Sequence, residues 1–225
     1  MPRTRVTTKE IWSFGELSER AKEKARDWYR EGAFDYDWYD YTYEDARTCA
    51  ELMGIDIATR SENWANTSTG KSGTTKRDCI YFSGFSSQGD GACFEGTIRP
   101  RADAVASLAT HASNDERLAA IAAELAAIHE LTRGLIVAVV RHSGSYSHEY
   151  TMDFDFEYPD EDEDAPLSDA VKDAAEKRLT EACRDFARWI YRTLESEYDY
   201  LNSDAAVDES IEANEYEFNE DGTRA

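Results

Sequence analysis

Two spacings of apolar residues along the chain predict two kinds of element. From residue 148 to residue 158, apolar or aromatic side chains alternate with Glu, Thr and Asp, which is typical of a strand with one buried and one wet face. Residues 17–28 instead place an apolar side chain at every third or fourth position, as on the buried side of a helix. The same helical spacing recurs at 43–53, 116–133 and 167–201. The sequence therefore combines amphipathic helices with half-buried strands.

A further pattern, in the middle of the chain, predicts a β-hairpin. The apolar runs 79–85 and 92–98 flank a turn that is rich in Ser, Gly and Asp. Gly89 and Gly91 favour the positive φ angles of a tight turn, because they carry no Cβ. We expect this hairpin to lie at the centre of the sheet, with Cys93 on the polar face of its second strand.

Together these elements predict an α+β fold with a mainly antiparallel sheet and helices packed on one face. Residues 135–140 are apolar on both sides, which predicts a central strand, and residues 148–158 then form an outer strand with an acidic polar face. The length suits a single domain of residues 1–225. An alternative boundary sets residues 202–225 apart as an acidic C-terminal extension.

The net charge of −22 at pH 7 narrows the choice of partner. Residues 148–164 contain nine acids and no base, and residues 195–221 contain eleven acids and no base. Nucleic-acid backbones are bound through clustered Lys and Arg, so direct nucleic-acid binding is disfavoured. An acidic surface instead attracts basic proteins and speeds the encounter with them. The alternative is that the acidity only keeps the protein soluble.

The composition also bears on the compartment. No apolar run reaches the roughly 18–20 residues that a membrane-spanning helix requires, and the first residues lack the apolar run of a secretion signal. Four cysteines without CxxC spacing favour reduced, buried thiols over disulfides or zinc. We therefore expect a cytoplasmic protein that makes no contact with a membrane.

No catalytic motif is complete in this sequence, and we predict neither a metal site nor a cofactor. Residues 65–72 fit a relaxed phosphate-loop pattern, but no helix is predicted after them, so residues 61–77 are predicted to form a polar loop. His142 and His148 bracket a turn and are predicted to face each other near Asp153. This group supplies too few ligands for a metal ion.

The remaining chemical candidates are single side chains. His111 and His129 are isolated in the sequence. Cys93, on its predicted polar face, is a candidate nucleophile, but its spacing from other residues indicates no histidine partner. A small enzyme centred on Cys93, or on His142 and His148, stays an alternative to a binding protein.

Three stretches of the chain resemble a known family. They are residues 17–28 (LSERAKEKARDW), 83–94 (SGFSSQGDGACF) and 204–218 (DAAVDESIEANEYEF). Together they resemble poorly characterised phage and prophage proteins, some of which are labelled as antitoxins of a toxin–antitoxin stability system. The resemblance implies a phage or mobile-element origin, and it brings no known catalytic residues.

An aromatic segment adds a second predicted contact surface to the acidic strand. Residues 34–43 contain six aromatic side chains interleaved with aspartates. Tyr and Trp are common anchors at protein interfaces, so the segment suits a partner or a homodimer. Alternatively, these rings pack under a helix that the aspartates cap.

The acidity and the resemblance together predict an inhibitor. We expect a phage-encoded protein that acts in the host cytoplasm and blocks a nucleic-acid-handling defence complex, of the anti-CRISPR or anti-restriction type, by imitating nucleic-acid charge. Its partner is then a basic host protein or nucleoprotein complex, and the alternative is an antitoxin-like neutraliser of a basic toxin. The predicted partner-binding residues are Asp35, Tyr36, Asp37, Trp38, Tyr39, Asp40, Asp153, Asp155, Glu157, Asp160, Glu161, Asp162, Glu163 and Asp164.

Overall fold

The computed structural model describes residues 8–32, 36–159 and 161–225. The chain divides into two compact units. The smaller unit consists of the two ends of the chain, up to Tyr39 and from Glu195 onward, and the larger unit spans Asp40–Leu194. One long helix, Asp169–Asn202, supplies residues to both units.

The described residues form both α-helices and β-strands. The α-helices are α1 (Glu19–Gly32), α2 (Asp40–Met53), α3 (Ala104–Ala109), α4 (Glu116–Thr132), α5 (Asp169–Asn202) and α6 (Asp204–Ala213). The strands are β1 (Trp12–Ser13), β2 (Ile55–Ile57), β3 (Thr59–Asn66), β4 (Lys71–Asp78), β5 (Ile80–Ser83), β6 (Gly91–Phe94), β7 (Gly96–Ile98), β8 (Val137–His142), β9 (Met152–Glu157) and β10 (Glu217–Phe218). The four stretches with helical spacing correspond to α1, α2, α4 and α5, so these predictions are confirmed.

The smaller unit has an apolar core that both chain ends build. Its buried members are Phe14, Leu17, Ala21, Ala25, Val207, Ile211 and Phe218. Trp28 packs edge-on against Tyr216 and Phe218, with ring centroids 5.3 and 5.7 Å apart. β1 pairs antiparallel with β10 at the margin of this core. Residues 202–225 thus contribute a helix and a strand to the smaller unit.

The larger unit contains an antiparallel sheet with the strand order β2-β7-β8-β9. Helices pack on one face of this sheet, where Ile55, Ile98 and Val140 are almost completely buried. β8 lies between two neighbours, as its two-sided apolar pattern predicts, and β9 forms an edge. The predicted α+β fold is therefore confirmed.

The outer strand is shorter than its sequence pattern predicts. β9 begins at Met152, and the preceding residues Glu149–Thr151 form a 3-10 helix. His148 caps this turn, because its Nδ1 accepts a hydrogen bond from the backbone N–H of Tyr150 at 3.1 Å. The alternation at 148–151 therefore reflects a capped turn, and the strand prediction is wrong for these residues.

The predicted hairpin exists, but it does not lie at the centre of the sheet. β5 and β6 pair with each other as a separate two-stranded sheet. At Glu95 the backbone N–H donates to Cys79 at 2.9 Å, and the carbonyl accepts from Ala58 at 2.8 Å. Beyond this residue the chain continues as β7, between β2 and β8. The predicted second strand thus changes sheets halfway along.

The close approach of β2 to β7 requires a glycine. A Cβ on Gly96 would lie 2.2 Å from the backbone oxygen of Asp56, far inside van der Waals contact. Gly96 therefore allows β7 to approach β2 closely enough to pair with it.

The polar loop predicted for residues 61–77 is wrong. β3 and β4 pair from Thr59↔Asp78 to Asn66↔Lys71, so this stretch is a long hairpin. Most of its side chains are exposed, which explains why no apolar alternation indicated strands. Its turn leads into β4 rather than into a helix, so it lacks the architecture of a phosphate loop.

Candidate functional site

The acidic side chains of β9 lie on the sheet face opposite the helices. Asp153, Asp155 and Glu157 are exposed, whereas Met152 is buried. Side chains alternate along a strand, so the three carboxylates share one face and successive ones are about 6.6 Å apart along the backbone. The predicted acidic strand face is therefore present in the structure.

Strand pairing extends this acidic row across the sheet. Asp155 lies opposite Val139, and Val139 lies opposite Thr97. Thr97 in turn lies opposite Asp56, which is exposed. Residues directly opposite each other share a face. We call this surface, defined by the carboxylates of Asp56, Asp153, Asp155 and Glu157, the open acidic face.

A cationic side chain, that of Arg141, also lies on this face. Arg141 of β8 pairs with Asp155, and it stands opposite Asp153 in the ladder. The side chains of Arg141 and Asp155 are 65% and 64% exposed, so water and salt screen the pair strongly. Among the described residues, Asp56, Asp153 and Glu157 have no ion pair within 4.0 Å. The open acidic face therefore keeps most of its negative charge.

A shallow groove of about 330 Å³ crosses this face. Thr97, Val139 and Arg141 contribute to its lining, together with Asp56 and Glu95. The carboxylate of Glu95 is engaged locally, since it accepts a hydrogen bond from the backbone N–H of His142 at 3.1 Å. Glu95 therefore fixes the local backbone, whereas Asp56 adds charge to the face.

The acidic loop after β9 divides into structural and exposed residues. Glu161 accepts hydrogen bonds from Lys172 and from the backbone N–H of Leu167, both at 2.6 Å, and these contacts lower the pKa of its carboxyl. Asp162, Glu163 and Asp164 are exposed. Asp160 lies outside the described residues. Of this predicted set, the three exposed acids remain available to a partner.

The aromatic segment is partly packed. Trp38 contacts the rings of Tyr39 and Tyr198, each at 5.8 Å between centroids. The hydroxyl of Tyr39 donates to Asp37 at 3.0 Å, while Tyr36 is 59% exposed. Most of this part of the prediction therefore falls on rings that pack within the smaller unit.

The aromatic segment was also predicted to contribute Asp35 and Asp40. Asp40 begins α2 and forms an ion pair with Arg77 at 3.3 Å. Asp35 lies outside the described residues. The segment up to Tyr39 belongs to the smaller unit, and Asp40 belongs to the larger unit.

The prediction that Cys93 lies on a polar face is wrong. Cys93 is fully buried, because β6 is covered on both sides. Burial raises the pKa of its thiol to about 11, so the thiol is protonated near neutral pH. This position gives no support to a nucleophilic role.

His142 and His148 are also held in separate local contacts. His142 stacks on Tyr81, with ring centroids 5.1 Å apart, and its Nε2 lies 2.8 Å from the carbonyl oxygen of Tyr146. His142 is opposite Met152 in the ladder, so Asp153 lies on the other face of the sheet. The predicted grouping with Asp153 is therefore wrong.

A larger groove, of about 730 Å³, lies between α4 and α5. Its charged lining mixes both signs and consists of Arg117, Lys177, Arg178, Arg188, Arg192, Glu124, Glu181 and Asp185. Several of these charges compensate each other, as in the pair of Arg178 with Glu124 at 2.6 Å. The open acidic face, by contrast, is dominated by one sign of charge.

The cysteines and the helices were used above to predict the compartment. All four cysteines are buried and none forms a disulfide, which agrees with the predicted buried thiols. In the parts of the chain that the structure describes, no helix combines the length and apolarity needed to cross a membrane.

Comparison with known proteins places the chain in a family. Residues 38–204 match the family described as a domain of unknown function, DUF8835. The chain belongs to this family. No curated protein and no solved structure is significantly similar to it. The matched residues of this DUF8835 protein include every member of the open acidic face.

Asp56 is the member of this face that the sequence prediction missed. It lies between Ile55 and Ile57, a short alternation that indicates a strand with one polar position. The pattern does not show which strand pairs with it. In this DUF8835 protein, Asp56 shares a row across the sheet with Asp155 only because β2 pairs with β7.

Proposed function

We propose that this protein is a binding protein whose open acidic face occupies a basic, nucleic-acid-binding surface of another protein. The observation that supports this proposal is the arrangement of four carboxylates on an exposed sheet face, those of Asp56, Asp153, Asp155 and Glu157. The ion pair of Arg141 with Asp155 is screened by solvent. Carboxylates in such an array compete with phosphates for the same Arg and Lys groups.

A sheet is a suitable scaffold for this kind of competition. The positions of the carboxylates are fixed by ladder hydrogen bonds, so little backbone order is lost when a partner binds. Arg side chains recognise planar carboxylates through paired hydrogen bonds, as they recognise phosphates. The proposal therefore accounts for a dense acidic array on a rigid strand rather than on a loop.

The specific form of the proposal is a phage-encoded inhibitor that acts in the cytoplasm of a host cell. Its target would be a nucleic-acid-handling defence complex, such as a restriction or CRISPR complex. This form is supported by the resemblance of residues 17–28, 83–94 and 204–218 to phage proteins. The exposed acids Asp162, Glu163 and Asp164 lie in the loop after β9 and would extend the contact.

The proposal is tested by charge reversal on β9. The variant Asp153→Lys/Asp155→Lys/Glu157→Lys should lose partner binding by at least about 100-fold, since both attraction and steering are reversed. Tagged wild-type protein and the variant are incubated with nuclease-treated host lysate at low and high salt, and the captured proteins are identified by mass spectrometry. Recovery of one nucleic-acid-handling complex by the wild type alone, lost at high salt, is the expected result.

A matched control separates a local effect from a change of net charge. The variant Glu130→Lys/Asp173→Lys/Asp199→Lys changes the charge by the same amount at three exposed helical positions. It should retain the partner. Recovery of the complex by the β9 variant would contradict the proposal, and recovery of a single small basic protein would favour the antitoxin-like alternative.

A further inference from the structure

A second group of polar side chains, separate from the open acidic face, converges in the larger unit. Asp45 and Cys49 lie one turn apart on α2, so their side chains share one face of the helix. His111 follows α3, and its Nε2 lies 2.7 Å from Oδ1 of Asp45. A carboxylate oxygen of Asp45, a ring nitrogen of His111 and the Sγ of Cys49 all lie within 4.8 Å of one another. The expectation that His111 is isolated is therefore wrong.

The surrounding structure holds these three groups in place. The backbone N–H of His111 donates to Leu108 at 2.9 Å, which fixes the turn at the end of α3. Cys49 is fully buried, whereas the side chains of Asp45 and His111 are 46% and 39% exposed. Cys49 thus forms the buried side of the group, and Asp45 and His111 form the side that solvent can reach.

These ligands and distances suit a zinc ion. Zn²⁺ binds Cys, His and Asp at about 2.0–2.3 Å, which places tetrahedral ligand atoms about 3.3–3.6 Å apart. The separation of 2.7 Å between His111 and Asp45 is about 0.6 Å below this range, and the upper bound of 4.8 Å is about 1.2 Å above it. Asp45 and His111 are partly exposed, so their side chains have room to rotate towards an ion.

The charges around the thiol also favour a divalent cation. Burial raises the pKa of the Cys49 thiol, and the negative charges of Asp45 and Asp115 raise it further, because a thiolate beside them lacks a compensating cation. The oxygens of Asp115 are already occupied, since Oδ1 accepts from two backbone N–H groups and Oδ2 accepts from Trp189 at 2.7 Å. Asp115 therefore adds negative charge near the group without serving as a ligand.

We propose that Asp45, Cys49 and His111 form a Zn²⁺ site with a water molecule in the fourth position. Binding replaces the proton of the Cys49 thiol, which is released to solvent, and the ion joins α2 to the end of α3. The thiolate and imidazole ligands favour zinc over magnesium or calcium, which prefer all-oxygen sites. Three protein ligands and a water on the exposed side correspond to an open rather than a closed zinc site.

The first test is metal binding by tag-free protein that has been stripped with a chelator. Titration with ZnCl₂ in a calorimeter should show one ion per chain, bound more tightly than micromolar. Loading with Co²⁺ should produce the near-ultraviolet charge-transfer absorption that requires a thiolate ligand. Absence of zinc binding, or a cobalt spectrum without the thiolate band, would overturn the proposal.

Variants separate this site from adventitious binding to surface carboxylates. Asp45→Asn, Cys49→Ala and His111→Gln should each weaken zinc binding by at least about 100-fold, because removal of a direct ligand costs more than loss of its outer support. Asp45→Asn affects a half-exposed side chain, so it reports on binding even where Cys49→Ala lowers stability.

Two controls use the same residue types elsewhere. Cys183→Ala removes another fully buried thiol, and His148→Gln removes another histidine. Both variants should bind zinc and show the thiolate band as the wild type does. Zinc should also raise the melting temperature of the wild type but not that of Asp45→Asn. If Asp45→Asn and Cys49→Ala each bound zinc as tightly as the wild type, this site would be excluded.

Discussion

Acidic residues on α6 and on β9 have contrasting surroundings. Asp208 of α6 accepts two hydrogen bonds from Arg26 of α1, at 2.6 and 2.7 Å, and the side chain of Arg26 is only 13% exposed. On β9, Asp155 has the exposed partner Arg141, and Asp153 has no ion pair within 4.0 Å among the described residues. Asp208 and the two β9 acids lie in sequence runs, 195–221 and 148–164, that contain many acids and no Lys or Arg.

The difference shows that a base-free run of acids is not necessarily an unpaired one. Arg26 is 182 positions from Asp208 along the chain, so no local pattern reveals the pair. Arg30 similarly donates to Asp204 at 2.6 Å and lowers the pKa of that carboxyl. Part of the acidity of α6 therefore holds the two chain ends together, whereas that of β9 is left for solvent or a partner.

The largest expected effect comes from breaking the α6 contact. Arg26→Met should lower the free energy of unfolding by roughly 2 kcal/mol, because it leaves a half-buried carboxylate without its paired hydrogen bonds. Urea denaturation followed by circular dichroism measures the change. In a double-mutant cycle, adding Asp208→Asn to Arg26→Met should lower the free energy of unfolding little further, because both substitutions break the same contact. Wild-type stability for Arg26→Met would remove the distinction between the two regions.

A smaller effect is expected when the counter-ion of the open acidic face is removed. Arg141→Ala should tighten the binding of a short arginine-rich peptide by roughly threefold at low salt, because Asp155 then loses its screened partner. Fluorescence anisotropy with the labelled peptide measures this change. The gain should disappear at high salt, and weaker binding by Arg141→Ala would show that Arg141 itself contacts the peptide.

The smallest effect is expected when the β9 acids are neutralised and the stability of the protein is measured. Asp153→Asn/Asp155→Asn/Glu157→Gln should alter the free energy of unfolding by no more than about 0.5 kcal/mol, because these side chains are exposed and the ion pair of Asp155 with Arg141 is screened by solvent. The same urea experiment serves as the measurement. A loss of 2 kcal/mol, comparable to that of Arg26→Met, would mean that these acids support the fold rather than a partner.

The sequence predicts part of the candidate site well. Alternation along β9 indicates the exposed positions of Asp153, Asp155 and Glu157, because a half-buried strand leaves little choice of face. Asp56 is missed, since its membership depends on the pairing of β2 with β7. The same limit applies to Asp45, Cys49 and His111. The spacing on α2 is visible in the sequence, but the packing that brings His111 to Asp45 is not.

Errors in the fold prediction have a related cause. Cys93 lies in a strand with apparent alternation, yet both sides of β6 are covered, so its thiol is buried. The change of sheets at Glu95 depends on hydrogen bonds with Ala58 and Cys79, which come from other parts of the chain. The alternation of polar and apolar residues around Cys93 did not reveal that a second layer covers the other side of β6.

The sequence alone determined helices α1, α2, α4 and α5, the acidic part of the outer strand and the overall α+β class, because amphipathic periodicity is a local property that burial of one face enforces. Tertiary structure decided which acids are paired, where the central hairpin joins the sheets and which polar side chains converge on α2 and the end of α3. These features depend on contacts between residues that are distant in the chain. Their energies are set by distance and burial in the folded protein, which no spacing along the sequence specifies.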